Sequence, residues 1–276
     1  MAIIRERLTP VPGGLVRSLE TGPDQPDRVV VVPGLGLVGY LVPLARDLAR
    51  RGLACSILDV PGFGSRLPLV CAPTIAGSAG VVSDWLREQP PGRILLVGHS
   101  TGAQNALGAA LNVQDDRTLE ALVLAGPTFV PAQRRALRLA AAAGTAYGHD
   151  SPGQLLVLRD LRRGHRHVAH LIRNGMQDAP EEALRRLRAP LLLTAGRHDS
   201  FAPQRWLGVL AAQTVDNPWP ARVVSLPGSH NTPYTHAGVL AALLSCVWEG
   251  RLRVSAGAVR DQLHDLASLD RAQGAG

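Results

Sequence analysis

Ile94-Leu95-Leu96-Val97-Gly98-His99-Ser100-Thr101-Gly102 reads as an apolar strand that stops in a tight turn; Ala103 to Leu111, rich in Ala and Leu, continues it as a helix. A strand that ends in G-x-S-x-G and opens a helix is the sequence form of a nucleophile elbow. In such a turn Ser100 takes a strained backbone conformation, and side chains two residues to either side collide. Gly98 and Gly102 remove those side chains. Ser100 then lies at a helix N-terminus, where free N–H groups and the macrodipole favour developing negative charge. The implied chemistry is attack by a serine hydroxyl on an electrophilic carbon.

Such a serine needs a base, and the base needs an orienting acid. Two strand ends downstream offer them in the order acid, then histidine. Pro190-Leu191-Leu192-Leu193 runs into Thr194-Ala195-Gly196-Arg197-His198-Asp199, and Arg222-Val223-Val224-Ser225-Leu226 runs into Pro227-Gly228-Ser229-His230. Asp199 is therefore the candidate acid and His230 the candidate base. His236 is a rival for the base, but it falls on a helix expected over Thr232 to Trp248. His198 is expected to line the loop. The strand Leu122 to Ala125 ends in Gly126-Pro127-Thr128 without a carboxylate, which removes an alternative site and strengthens Asp199. Upstream, Arg28-Val29-Val30-Val31-Val32 ends in Pro33-Gly34-Leu35-Gly36. Tight glycines there let backbone N–H groups face an oxyanion, and the N–H groups of Leu35 and Thr101 are assigned to that hole.

A further turn, Asp59-Val60-Pro61-Gly62-Phe63-Gly64-Ser65, also follows a strand (Cys55 to Leu58). V-V-P-G-L-G at 31–36, D-V-P-G-F-G-S at 59–65, G-H-S-T-G at 98–102, G-R-H-D at 196–199 and P-G-S-H at 227–230 together resemble the α/β-hydrolase fold superfamily. The resemblance covers residues 15 to 250 apart from the middle segment. It implies a mainly parallel central sheet flanked by helices, with a small helical cap inserted over residues 130–187 between core segments 1–129 and 188–276. It also implies that Asp59 and its glycines are structural. Pro33 departs from the histidine that many members carry before the oxyanion glycine.

Composition agrees. A 276-residue chain that is 46% hydrophobic can bury a large core within one domain and an insertion. Apolar runs alternate with helix-like stretches at Val38 to Arg51, Ile75 to Gln89, Ala103 to Leu111 and Pro203 to Gln213, the pattern of a parallel sheet. Cys55, Cys71 and Cys246 show no paired spacing, which fits a reducing compartment, and the N-terminus lacks a signal peptide's apolar stretch. No run reaches membrane-spanning length, so a cytoplasmic, non-membrane protein is expected. The net charge is +7 and every basic side chain is Arg. Without aromatic interleaving or a nucleic-acid motif, nucleic-acid binding is rejected. His165, His167 and His170 lack an acid or cysteine partner, so no metal is assigned, and no cofactor is expected.

The arginines crowd Arg134 to Arg138, Arg159 to Arg173 and Arg185 to Arg188 in the middle segment. That segment reads as three or four short helices: one at Ala136 to Ala143, one opening at Ser151-Pro152 and one at Pro180-Glu181-Glu182. Arginines on its inner face would attract an anionic or carrier-bound substrate. Val259, Leu263, Leu266 and Leu269 repeat at helical spacing in a tail that reads as a docked helix or a homodimer contact. Three functions stay open. The first is a serine hydrolase cleaving an ester, thioester or lactone through an acyl-enzyme at Ser100. The second is an acyltransferase or cyclase with the same three residues. The third is a binding protein with little turnover. Hydrolysis of a carbon–carbon bond in a diketone is not separated from the first. Ser in place of Asp at the elbow disfavours dehalogenase and epoxide hydrolase chemistry.

Overall fold

Eight strands form one sheet: β1 (Arg5–Val11), β2 (Gly14–Thr21), β3 (Arg28–Val32), β4 (Ala54–Asp59), β5 (Ile94–His99), β6 (Ala121–Ala125), β7 (Leu191–Gly196) and β8 (Arg222–Leu226). They lie in the order β1-β2-β4-β3-β5-β6-β7-β8, parallel from β4 onward, with β1 and β2 antiparallel at one edge. The structure is a computed structural model. It describes residues 2–65, 67–146, 157–214, 216–219 and 221–250, with backbone alone over 157–166. The helices are α1 (Val42–Arg50), α2 (Ile75–Arg87), α3 (Thr101–Val113), α4 (Ala136–Ala146), α5 (Val157–Gln177), α6 (Pro180–Ala183), α7 (Gln204–Ala212), α8 (Thr232–Thr235) and α9 (Ala237–Trp248).

Alternation along each strand builds two cores. Val30, Val32, Leu96, Leu122, Leu124 and Leu193 pack towards α2, α3 and α7. Val29, Val31, Leu95, Val97, Val123 and Leu192 pack towards α1 and α9. Because both faces are covered, the central strands are mostly apolar on both sides, so they read in the sequence as apolar runs. The chain leaves β3 for β4 on one side and reaches β5 on the other, so a crevice opens at the carboxyl ends of β3 and β5.

One element was not anticipated, and three differ from the expectations. The β1–β2 hairpin carries no apolar alternation; in β1 only Thr9 is buried, and its hydroxyl accepts from Trp85 Nε1 at 3.2 Å. The first helix begins at Val42, after a 3-10 turn over Gly39–Leu41, because Gly34 to Leu41 is spent on tight turns. The helix expected over 232–248 is broken at His236 (φ −132°, ψ 42°), giving α8 and α9. Between β6 and β7, α5 runs for 21 residues, longer than the short helices expected. The helix start at Ser151-Pro152 and the tail with Val259, Leu263, Leu266 and Leu269 lie outside the described residues.

Candidate active site

Ser100, between β5 and α3, has φ 58° and ψ −127°, one of two non-glycine residues at positive φ among the described residues. Such a conformation costs on the order of 1–3 kcal/mol and persists only where the surroundings enforce it. Here Ser100 N–H donates to Ala125 O at 3.0 Å. A Cβ on Gly98 would sit 2.3 Å from Gly102 O, and one on Gly102 would sit 2.3 Å from Val32 O. The turn therefore closes only with glycine at both positions.

The ends of β7 and β8 deliver the other two groups. Ser100 Oγ lies 3.0 Å from His230 Nε2, and His230 Nδ1 lies 2.9 Å from Asp199 Oδ2. The other carboxylate oxygen, Oδ1, accepts N–H bonds from Phe201 (2.9 Å) and Ala202 (3.0 Å). Asp199 and His230 are both buried. Burial pushes the Asp199 carboxyl up. The His230 ring beside it, with its hydrogen bond and that of Ala202, outweighs burial and holds the carboxyl below its usual range. An ionised Asp199 accepts from His230 Nδ1–H, which leaves Nε2 as acceptor for the serine proton. The Phe201 ring meets the His230 ring edge-on, with centroids 4.8 Å apart.

Leu35, in the turn Gly34–Gly36, has φ 52°. Its N–H points at Thr101 Oγ1, 2.7 Å away. Neither the Thr101 N–H nor its hydroxyl proton meets an acceptor among the described residues. The two groups assigned to the oxyanion hole thus lie together beside Ser100, but Leu35 N–H is engaged by the threonine side chain. The rivals sit elsewhere. His236 Nδ1 is 2.9 Å from Thr235 Oγ1, and His198 is exposed. Asp59 is buried, pairs with Arg17 at 3.0 Å and accepts from Gly64 N–H at 3.0 Å, so it pins its own turn.

One part of the site was not assigned from the sequence. Gly34 N–H donates to Tyr40 Oη (2.8 Å), Tyr40 Oη–H to His99 Nδ1 (2.7 Å), and His99 Nε2–H to His230 O (2.9 Å). This chain ties the Gly34 turn, the elbow and the histidine loop together. The available signal was a polar ring at the end of a strand buried throughout. Burial, reinforced by the neighbouring His230, lowers the His99 pKa to about 3, so the ring is neutral. The unfolded chain protonates this histidine near pH 6.5 and the folded chain does not. The stability it confers is full above that pH and is lost as pH falls towards 3, at roughly 1.4 kcal/mol per pH unit. Urea unfolding at pH 7.5, 5.5 and 4.5 should therefore show a shallower loss for His99→Gln than for wild type. Equal slopes would contradict a neutral buried His99.

The segment between β6 and β7 is fastened to the strand ends. Ser200 Oγ–H donates to Ala142 O (2.7 Å), and His230 N–H donates to Ala146 O (3.2 Å). Gln104 Nε2 donates to Gly175 O and to Asp178 Oδ2, both at 2.9 Å. Of its arginines, Arg134 pairs with Glu181 (2.6 Å), while Arg185 and Arg188 are exposed and bond to Gln213 and Asp115. The side chains of Arg159, Arg162, Arg163 and Arg166 lie outside the described residues, as does that of His165. Among the described residues, no group of three or more His, Cys, Asp or Glu could hold a metal ion. No described helix is long and apolar enough to cross a membrane.

The sequence model of the alpha/beta hydrolase family matches residues 29–243, and the chain belongs to that family. The fold is similar to that of a membrane phospholipase A described as a bacterial virulence factor (TM-score 0.73, 18% identity, 91% of this chain and 87% of the other). It is also similar to the thioesterase domain from the curacin biosynthetic pathway (TM-score 0.65, 18% identity, 88% and 99%). A third similar structure is the enol-lactonase from Burkholderia xenovorans LB400 (TM-score 0.68, 16% identity, 88% and 100%). A search of curated protein sequences gives no match.

Proposed function

We propose that this protein is a serine hydrolase that cleaves a small-molecule ester, thioester or lactone through an acyl-enzyme on Ser100. The observation that carries this reading is the unbroken hydrogen-bond chain from Ser100 Oγ through His230 to Asp199, with Ser100 held at positive φ. In this reading Ser100 Oγ attacks the acyl carbon as its proton passes to His230 Nε2. Asp199 stabilises the imidazolium, which then protonates the leaving oxygen or sulfur. Water attacks the acyl-enzyme by the same route in reverse. Donors at the α3 N-terminus carry the oxyanion charge. The segment 130–187 acts as a cap that limits water and selects the acyl group, a role supported by its bonds to the Asp199 and His230 loops.

A fluorophosphonate probe, with the labelled peptide located by mass spectrometry, tests this. Wild type should be labelled at Ser100, and both Ser100→Ala and His230→Ala should lose the label. A panel of esters, thioesters and lactones, neutral and anionic, should then yield at least one turned-over class, and added alcohol reports acyl transfer. Absence of label on folded wild type, together with no turnover, would sink the hydrolase reading in favour of a binding protein.

A further inference from the structure

Thr101 is almost fully buried, at 1% exposure, and sits directly after the nucleophile. A hydroxyl offers one proton to donate and two lone pairs to accept with. The accepting side is used, because Leu35 N–H reaches Oγ1 at 2.7 Å. The donating side is not, since no acceptor among the described residues lies within reach of that proton. A buried hydroxyl proton that no neighbour accepts is free to bond a group that arrives beside Ser100. The backbone N–H of the same residue is also without an acceptor, and both protons belong to the first residue of α3, next to Ser100.

We propose that the Thr101 side-chain hydroxyl is a catalytic oxyanion donor, acting beside the Thr101 backbone N–H, and that Leu35 N–H works at one remove by polarising this hydroxyl. The proposal rests on the serine-hydrolase reading above. As Ser100 Oγ bonds to the acyl carbon, its proton passes to His230 Nε2 and the carbonyl π pair moves onto oxygen. Thr101 keeps its own proton and donates a hydrogen bond to that oxygen. A chain of N–H to O–H to oxyanion strengthens each member, because every donor is polarised by the one behind it. The arrangement is preset. Leu35 is fixed at φ 52°, and Gly34 N–H is anchored on Tyr40 Oη at 2.8 Å, so the Leu35 N–H is already aimed before any substrate arrives. The competing arrangement has Thr101 Oγ1 as a shield that leaves Leu35 N–H when substrate enters, so that the amide donates directly.

Thr101→Val keeps the shape of the side chain and removes the hydroxyl, Thr101→Ser keeps the hydroxyl and removes the methyl, and Thr101→Ala serves as a second hydroxyl-less variant if Val fails to fold. The hydroxyl-less variants should lose about 10²-fold in kcat with little change in KM. Their Ki for a trifluoromethyl ketone, which forms the tetrahedral oxyanion on Ser100, should rise by the same factor as kcat/KM falls. Thr101→Ser should recover most of the rate. The proposal is overturned if the hydroxyl-less variants match or exceed wild type, which would mean direct donation by Leu35. It is equally overturned if Ser falls as far as Val, which would make the methyl the operative group. Wild type labelled by fluorophosphonate at Ser100 but insensitive to Thr101 changes defeats this proposal alone. Wild type that neither labels nor turns over any ester defeats the hydrolase reading and this proposal with it.

Discussion

Ser100→Ala is expected to lower kcat on any ester the wild type hydrolyses by about 10⁶-fold, with the fold intact. The hydroxyl is the only part of the side chain in the reaction, and its one hydrogen bond among the described residues is to His230 Nε2 at 3.0 Å. Alanine has the Cβ that the turn already accommodates at φ 58°, so the elbow keeps its shape. His230 keeps its bond to Asp199 and its backbone bonds to Ala146 and His99. A variant of unchanged melting temperature with no burst and no fluorophosphonate adduct is the expected outcome. Residual turnover above a ten-thousandth of wild type would show that water attacks without the serine, and the acyl-enzyme route would be wrong.

Asp199→Asn should cost about 10⁴-fold in kcat, with only a modest change in stability. Oδ1 of Asp199 accepts two backbone N–H bonds, from Phe201 and Ala202. An asparagine oxygen would stay on those donors, which turns its NH₂ towards His230 Nδ1. The imidazole must then accept at Nδ1 and carry its proton on Nε2, facing the serine hydroxyl. In that tautomer it is no longer a base for Ser100. Alanine is a poorer probe, because it leaves the Phe201 and Ala202 N–H groups buried without a partner and confounds activity with stability. Kinetics with thermal melts on the Asn variant separate the two. A loss below about tenfold would mean that Asp199 only fastens its loop.

The elbow could be read from the chain because a tight turn dictates it through local backbone demands. Gly98 and Gly102 are required by a turn with 2.3 Å approaches, and Ser100 lies between them. The central strands are legible because sheet faces covered on both sides favour runs of apolar residues. Order along the chain then pointed to Asp199 and His230, each just past a strand end. The N-terminal hairpin was not legible, since an edge strand with four exposed residues at its start has no period to detect. Nor was the break at His236, which is a backbone choice inside a sequence with continuous helical character.

From the sequence alone came the resemblance to the family's fold, the elbow and the candidates Ser100, Asp199 and His230, because motifs, glycine placement and chain order are properties of short segments. Only the tertiary structure decided how those residues bond. Ser100 and His230 are 130 positions apart, Leu35 and Thr101 66, and Tyr40 and His99 59. The strand register brings each pair within 3.0 Å. A hydrogen bond depends on angles and tenths of an ångström that no spacing encodes. That is why the sequence could name the Leu35 N–H as a donor, while its engagement with the Thr101 hydroxyl emerged only when the turn after β3 and the start of α3 were packed together.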